Sequence, residues 1–221
     1  MSTEKITIST SDGQVSGLLQ LPKECQALLV LGHGAGAGMS HIFMERLAGD
    51  LEEFGIGSLR YNFPYMEAGR RSPNAPRISQ DTVRAAVQEI RSRFPEIPLL
   101  AGGKSYGGRM SSQAQSEMAM EGVVGLVFFG FPLHAPGRPG DQRGEHLKNI
   151  EIPMLFLQGS RDKLADLSLI RPLCKALGQR ATLSVIEGAD HGFNMLKSST
   201  ITTEQARHSL ARSTRSWYDQ L

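Results

Sequence analysis

Gly103-Lys104-Ser105-Tyr106-Gly107 fits the pattern G-x-S-x-G, and its surroundings give that pattern weight. Before it, Ile97-Pro98-Leu99-Leu100-Ala101-Gly102 reads as a short buried strand; after it, Gly108 to Met120 reads as a helix. Glycines two before and two after the serine permit a turn too sharp for residues with a Cβ. Such a turn lifts the serine hydroxyl above a sheet. It also sets the hydroxyl at a helix N-terminus, where free N–H groups favour developing negative charge.

The same residues admit a rival. Gly103-Lys104-Ser105 ends like a phosphate-binding loop, which needs a glycine five residues before Gly103. That position holds Pro98, so the NTPase reading fails on spacing. In a chain with 24 glycines the bare pattern decides little. The deciding question is whether a base, an acid and an oxyanion-binding turn stand in the right places.

The 221 residues suit one domain spanning 1–221, with a substantial core. With 40% hydrophobic and 21% charged residues, the chain reads as globular. A net charge of +2 gives no case for nucleic acid as a partner, and Arg70-Arg71 with Arg77 read as solvated surface. Cys25 and Cys174 are too few for a disulfide framework and read as small buried or half-buried side chains. Met1-Ser2-Thr3-Glu4-Lys5 lacks the basic-then-apolar pattern of a leader, and no apolar run reaches membrane-spanning length. The expectation is a cytoplasmic enzyme with no membrane partner; oligomeric state is not legible.

Glu4 to Thr10 and Val15 to Leu21 alternate around Asp12-Gly13, as in a hairpin. Ala27 to Leu31 reads as a strand covered on both faces, followed by a Gly-rich turn from Gly32 to Gly38. Phe43, Leu47, Leu51 and Phe54 recur at helical spacing, and Gly55 stops that helix. Ile56 to Phe63 reads as a strand, and Pro64 to Arg77 as irregular. Ser79 is placed to cap a helix ended by Pro95. Beyond the serine helix, which carries Met110, Ala114 and Met118 on one side, strands are expected at Val123–Phe129, Met154–Leu157 and Ala181–Ile186. Helices are expected at Leu167–Leu177 and Glu204–Tyr218, and Pro132 to Glu145 reads as a second irregular segment. A hairpin followed by strict alternation of strand and helix implies an α/β architecture: a mostly parallel central sheet with helices on both faces. Ligands bind such sheets at the carboxyl ends of the strands.

Two further residues stand at such ends. Asp162 follows one strand in Gln158-Gly159-Ser160-Arg161-Asp162, and His191 follows the next in Gly188-Ala189-Asp190-His191-Gly192-Phe193. The order Ser105, Asp162, His191 resembles that of an α/β-hydrolase triad, and the chain resembles a small α/β-hydrolase over nearly its whole length. Asp166, placed to cap a helix, and Asp190, adjacent to the histidine, are rival acids. The resemblance implies Ser105 as nucleophile, His191 as its base and Asp162 as the acid that orients the imidazole. It also implies an oxyanion hole from the N–H of Tyr106, after the nucleophile, and that of Ala35, after the pair His33-Gly34. His33 itself reads as a brace for that loop.

Cap domains in this superfamily enter after the strand that follows the nucleophile helix. Here that slot holds only Phe131 to Ile150, so no cap domain is expected and the chain resembles the dienelactone-hydrolase side of the superfamily. One departure limits that analogy, since dienelactone hydrolase uses a cysteine where Ser105 stands. The words Gly102-Gly103-Lys104-Ser105-Tyr106-Gly107-Gly108-Arg109 and Phe131-Pro132-Leu133-His134-Ala135-Pro136-Gly137-Arg138-Pro139 resemble a narrower branch. That branch includes testis-expressed protein 30 and a domain of NSL chromatin-complex subunit 3. The implied activity is hydrolysis of a small ester or thioester through an acyl-enzyme, with no metal and no organic cofactor. The alternative is a hydrolase-fold interaction module. Tyr65, Arg71, His134 and Arg138, on loops at the active end of the sheet, are the expected contacts to a small-molecule acyl substrate, and the arginines would favour an anionic one.

Overall fold

The computed structural model describes residues 3–73 and 75–221. Met1 and Ser2 of the N-terminal stretch, and Asn74 of the expected irregular segment, lie outside the described residues. The strands are β1 (Thr3–Thr10), β2 (Gly13–Gln20), β3 (Ala27–Gly32), β4 (Ile56–Tyr61), β5 (Leu99–Lys104), β6 (Val123–Phe129), β7 (Met154–Gly159) and β8 (Ala181–Ile186). They form one sheet in the order β1-β2-β4-β3-β5-β6-β7-β8. The hairpin strand β2 pairs antiparallel with both β1 and β4; every later pairing is parallel.

The helices are α1 (Ile42–Glu53), α2 (Pro64–Glu67), α3 (Pro76–Arg93), α4 (Tyr106–Glu117), α5 (Leu167–Leu177) and α6 (Thr203–Tyr218). Strand β3 shows how the sheet divides the interior. Leu28 and Val30 face a core built with Val83 and Ile90 of α3, Met110 of α4 and Ile170 of α5. Ala27, Leu29 and Leu31 face a second core with Leu47 of α1 and Leu210 and Trp217 of α6. Because β3 is covered on both faces, its sequence is a continuous apolar run rather than an alternating one. Burying each such leucine contributes about 1.5–3 kcal/mol. The helices of the second face are also joined by a buried ion pair, Arg207 Nε to Asp50 Oδ2 at 2.5 Å.

Among the described residues, no separate cap domain covers the carboxyl ends of the strands. The chain between β6 and β7 makes only a short 3-10 helix, Gln142–Asn149, where an irregular segment was expected. Three further local expectations need correction. Pro64 to Arg77 includes the single-turn helix α2. Ser79 does not cap α3, which starts earlier with Ala75 as N-cap and Pro76 in its first turn, a position that suits proline because its missing N–H would have no partner there. Ser79 is instead buried, and its Oγ accepts a hydrogen bond from the Tyr106 hydroxyl at 2.8 Å. Met118 lies just past α4 and is 63% exposed, so it is not part of the buried stripe.

What positions the site is a close crossing. At its carboxyl end β3 runs beside β5, with Gly32 opposite Gly103. A Cβ on Gly103 or on Gly107 would run into the Gly32 backbone. The start of α4 therefore lies directly against the end of β3. Gly107→Ala should lower the unfolding free energy by about 1–3 kcal/mol through overpacking against immovable backbone. Gly49→Ala, in the interior of α1 with nothing near its added Cβ, should raise it by up to about 1 kcal/mol. Urea unfolding of both variants checks the pair of opposite signs.

Candidate active site

Ser105 sits between β5 and α4 with φ 49° and ψ −108°. A left-handed φ on a non-glycine residue costs about 1–3 kcal/mol and persists only where its surroundings hold it. Here the Ser105 N–H donates to Phe129 O at 3.2 Å, and its carbonyl accepts from the Arg109 N–H at 3.1 Å. His191 Nε2 lies 2.9 Å from Ser105 Oγ, and His191 Nδ1 lies 2.7 Å from Asp162 Oδ2. The imidazole is 25% exposed while the Asp162 side chain is fully buried. That buried carboxylate is well supplied with donors. Its Oδ1 accepts from the Leu164 N–H at 2.7 Å, and its Oδ2 also accepts from Gln158 Nε2. A charge can stay buried when it is paired and hydrogen-bonded on this scale.

The rival acids have other work. Asp166 is the N-cap of α5, accepting from the Ser168 N–H at 2.8 Å, and these bonds hold its carboxyl below its ordinary value. Asp190 Oδ1 accepts from the N–H groups of Gly192 and Asn194, both at 2.8 Å, and so shapes the loop that carries His191.

Across from the serine, Gly34 to Ala37 forms a turn closed by the Ala37 N–H to Gly34 O at 3.1 Å. Among the described residues, neither the Ala35 N–H nor the Tyr106 N–H has an acceptor. His33 braces this turn. Its Nδ1 donates to Gly34 O at 2.7 Å, and its Nε2 accepts from the Phe63 N–H at 3.2 Å. Both bonds require the neutral ring with its proton on Nδ1, and burial pulls the His33 pKa down to about 4.

The chain matches the family described as alpha/beta hydrolase domain over residues 25–219. It belongs to that family. Among solved structures, this hydrolase is similar to dienelactone hydrolase from Anabaena variabilis, with 17% identity, a TM-score of 0.78, and coverage of 99% of this chain and 97% of that one. It is similar to a lidless a/b serine hydrolase from Xanthomonas campestris, with 21% identity, a TM-score of 0.76, and coverage of 98% and 95%. An esterase domain from Rhodothermus marinus gives 15% identity, a TM-score of 0.72, and coverage of 100% and 99%. At these identities the likeness is one of fold. A curated relative, bikaverin polyketide synthase bik1 from Gibberella fujikuroi, is 29% identical over 110 residues, which is 49% of this chain. The matched stretch spans only 5% of that much longer protein.

A cavity of about 500 Å³ opens beside the serine. Ser105, His191, Ala35 and Lys104 line it, and Phe43 of α1 and Phe193 after β8 form an apolar wall. The expected substrate contacts do not line this cavity. Tyr65 is fully buried and spends its hydroxyl as acceptor for the Gly36 N–H at 3.2 Å, so it supports the turn rather than meeting a ligand. His134 is also buried: its Nε2 accepts from the Asp166 N–H at 3.2 Å, and its Nδ1 bonds Ala135 O at 3.0 Å. Arg71 and Arg138 are exposed on their loops, outside the cavity lining.

Gln158 was missed. Besides Asp162, it bonds the Phe131 N–H through its Oε1 at 3.0 Å, joining that side chain to the chain leaving β6. Its signal was a lone amide ending the apolar run Met154-Leu155-Phe156-Leu157. Both cysteines are free, Cys174 buried with its thiol pushed up to about 11. Among the described residues, no group of three His, Cys, Asp or Glu side chains is placed to hold a metal ion. No helix among them is long and apolar enough to cross a membrane.

His33 gives a testable sign. Its folded pKa of about 4 lies below its ordinary 6.5, so the unfolded chain takes up the proton first. Its stabilising contribution is complete above about pH 6.5 and declines by about 3 kcal/mol as pH falls towards 4. Its ring resonances in NMR should remain those of the neutral Nδ1–H form down to about pH 5, while urea unfolding reports the decline.

Proposed function

We propose that this α/β hydrolase cleaves a small ester or thioester through an acyl-enzyme on Ser105. The observation that carries the reading is the hydrogen-bonded series Ser105–His191–Asp162, with the serine in a left-handed turn at 49°. His191 Nε2 accepts the serine proton as Oγ attacks the acyl carbon, and the bond to Asp162 holds the imidazole in the tautomer that can do so. The tetrahedral oxyanion is received by the N–H groups of Ala35 and Tyr106, each worth roughly 3–4 kcal/mol in comparable sites. His191 then returns the proton to the leaving group, and water repeats the sequence to release the acid.

A carboxylesterase is the first choice, supported by the esterase and dienelactone-hydrolase names among the similar structures. Phe43, Phe193 and Ala35 give the cavity an apolar wall suited to the carbon chain of an acyl group, and Arg46 and Arg207 also line it. A cytoplasmic setting, a small-molecule partner and a reaction without metal or organic cofactor belong to the same proposal. The alternative, an interaction module of the NSL-subunit kind, has against it the strained serine turn. A scaffold gains nothing from keeping a costly φ beside an aligned histidine.

Fluorophosphonate labelling tests the reading. Wild type should label strongly and hydrolyse short-chain nitrophenyl esters, whereas Ser105→Ala and His191→Ala should lose labelling and about 10⁴-fold or more in kcat. Folded wild type that does not label would sink the proposal in favour of the interaction module. Asp162→Asn should keep its labelling site but lose several orders of magnitude in kcat, because the amide presents the wrong partner to His191 Nδ1.

A further inference from the structure

A lysine stands between Gly103 and Ser105, at the end of a central strand. Successive side chains of β5 leave opposite faces, so Lys104 shares a face with Leu100, the face carrying α1 and α6. Its Nζ donates to the main-chain oxygen of His191 at 2.5 Å. The same ammonium lies 5.3 Å from the Phe193 ring centroid and 5.9 Å from that of Phe43, and these two rings are stacked 6.0 Å apart. Gly130, at the end of β6 with φ 74°, leaves the space. A Cβ there would stand 3.0 Å from Lys104 Nζ and 3.4 Å from the His191 imidazole.

The ammonium therefore grips the His191 loop twice: by a charge-assisted bond to the main chain of His191, and by cation–π attraction to Phe193 two residues on. That second grip matters because Phe193 has φ 61°. Among the described residues, Ser105 and Phe193 are the only non-glycines with positive φ, and Lys104 adjoins the first and touches the second. A loop held in a strained conformation needs such an external hold.

We propose that Lys104 is a positioning residue for the catalytic histidine, its charged head clamping the His191–Phe193 loop so that the imidazole stays between Ser105 and Asp162. The proposal rests on the acyl-enzyme reading. The charged and titratable groups around it are the His191 imidazole and the carboxylates of Asp162 and Asp190, while Arg46 of α1 and Arg207 of α6 line the same cavity. Burial outweighs the carboxylates and brings the ammonium down to about 8. The clamp is thus charge-assisted below about pH 8 and reverts to a weaker neutral bond above it.

The test compares fluorophosphonate labelling rates and ester kinetics of wild type and Lys104→Met across about pH 6.5 to 9.5. In wild type the labelling rate should fall as pH rises through about 8. In Lys104→Met it should be about tenfold or more lower at pH 7 and lack that alkaline fall, with KM changed less than about twofold. A variant that labels at the wild-type rate, or that keeps the same alkaline fall, overturns the proposal. So does a flat wild-type profile, which needs no variant and answers the question even if Lys104→Met does not fold. Wild type that never labels overturns the catalytic reading itself, so the two failures are distinct.

Discussion

At the carboxyl end of the sheet, the backbones of Gly32, Gly103 and Gly107 press against one another with no room for a Cβ between them. The placement of the serine follows from that contact. Because α4 can begin directly against the end of β3, the chain turns at Ser105 within a single residue of left-handed backbone. The same crossing puts the first N–H of α4 opposite the turn that starts at His33, so two loops from different strands share one small space. A methyl group at either of two positions would separate them.

Charge in this space is managed by unequal means. Asp162 is buried but surrounded by partners on Gln158, Leu164 and His191. His33, buried nearby, is kept neutral by burial and by a bond geometry that suits only one tautomer. Lys104 is not paired directly with a carboxylate; a carbonyl and two aromatic faces receive it. Polar groups that look alike in a sequence are thus assigned opposite duties by what surrounds them.

The central strands were legible because strands covered on both faces are read as apolar runs, as in Ala27–Gly32 and Val123–Phe129, whereas the edge strand Ala181–Ile186 is only partly buried. The positions of Ser105, Asp162 and His191 were legible because each follows its own strand in a sheet whose ligand-binding end is fixed by topology. Less could be read from the loops. Tyr65 and His134 occur at the right end of the sheet, but chain position says nothing of which way a side chain turns. Both turn inward, to serve backbone N–H groups of the loops. Ser79 was misplaced for a related reason: a serine near a helix start can cap it or be buried one turn in, and here Tyr106 claims its hydroxyl. Gln158 escaped notice because an amide at the end of an apolar strand has no pattern, only a partner that lies in another loop.

The brevity of the chain between β6 and β7 has a kinetic meaning. With only a 3-10 helix described there, this connection supplies no domain that would have to swing aside before a substrate enters. In the proposed reaction, water would reach an acyl-enzyme by the same open approach that admits the substrate. In that reading the site favours hydrolysis over acyl transfer, because little of it excludes water.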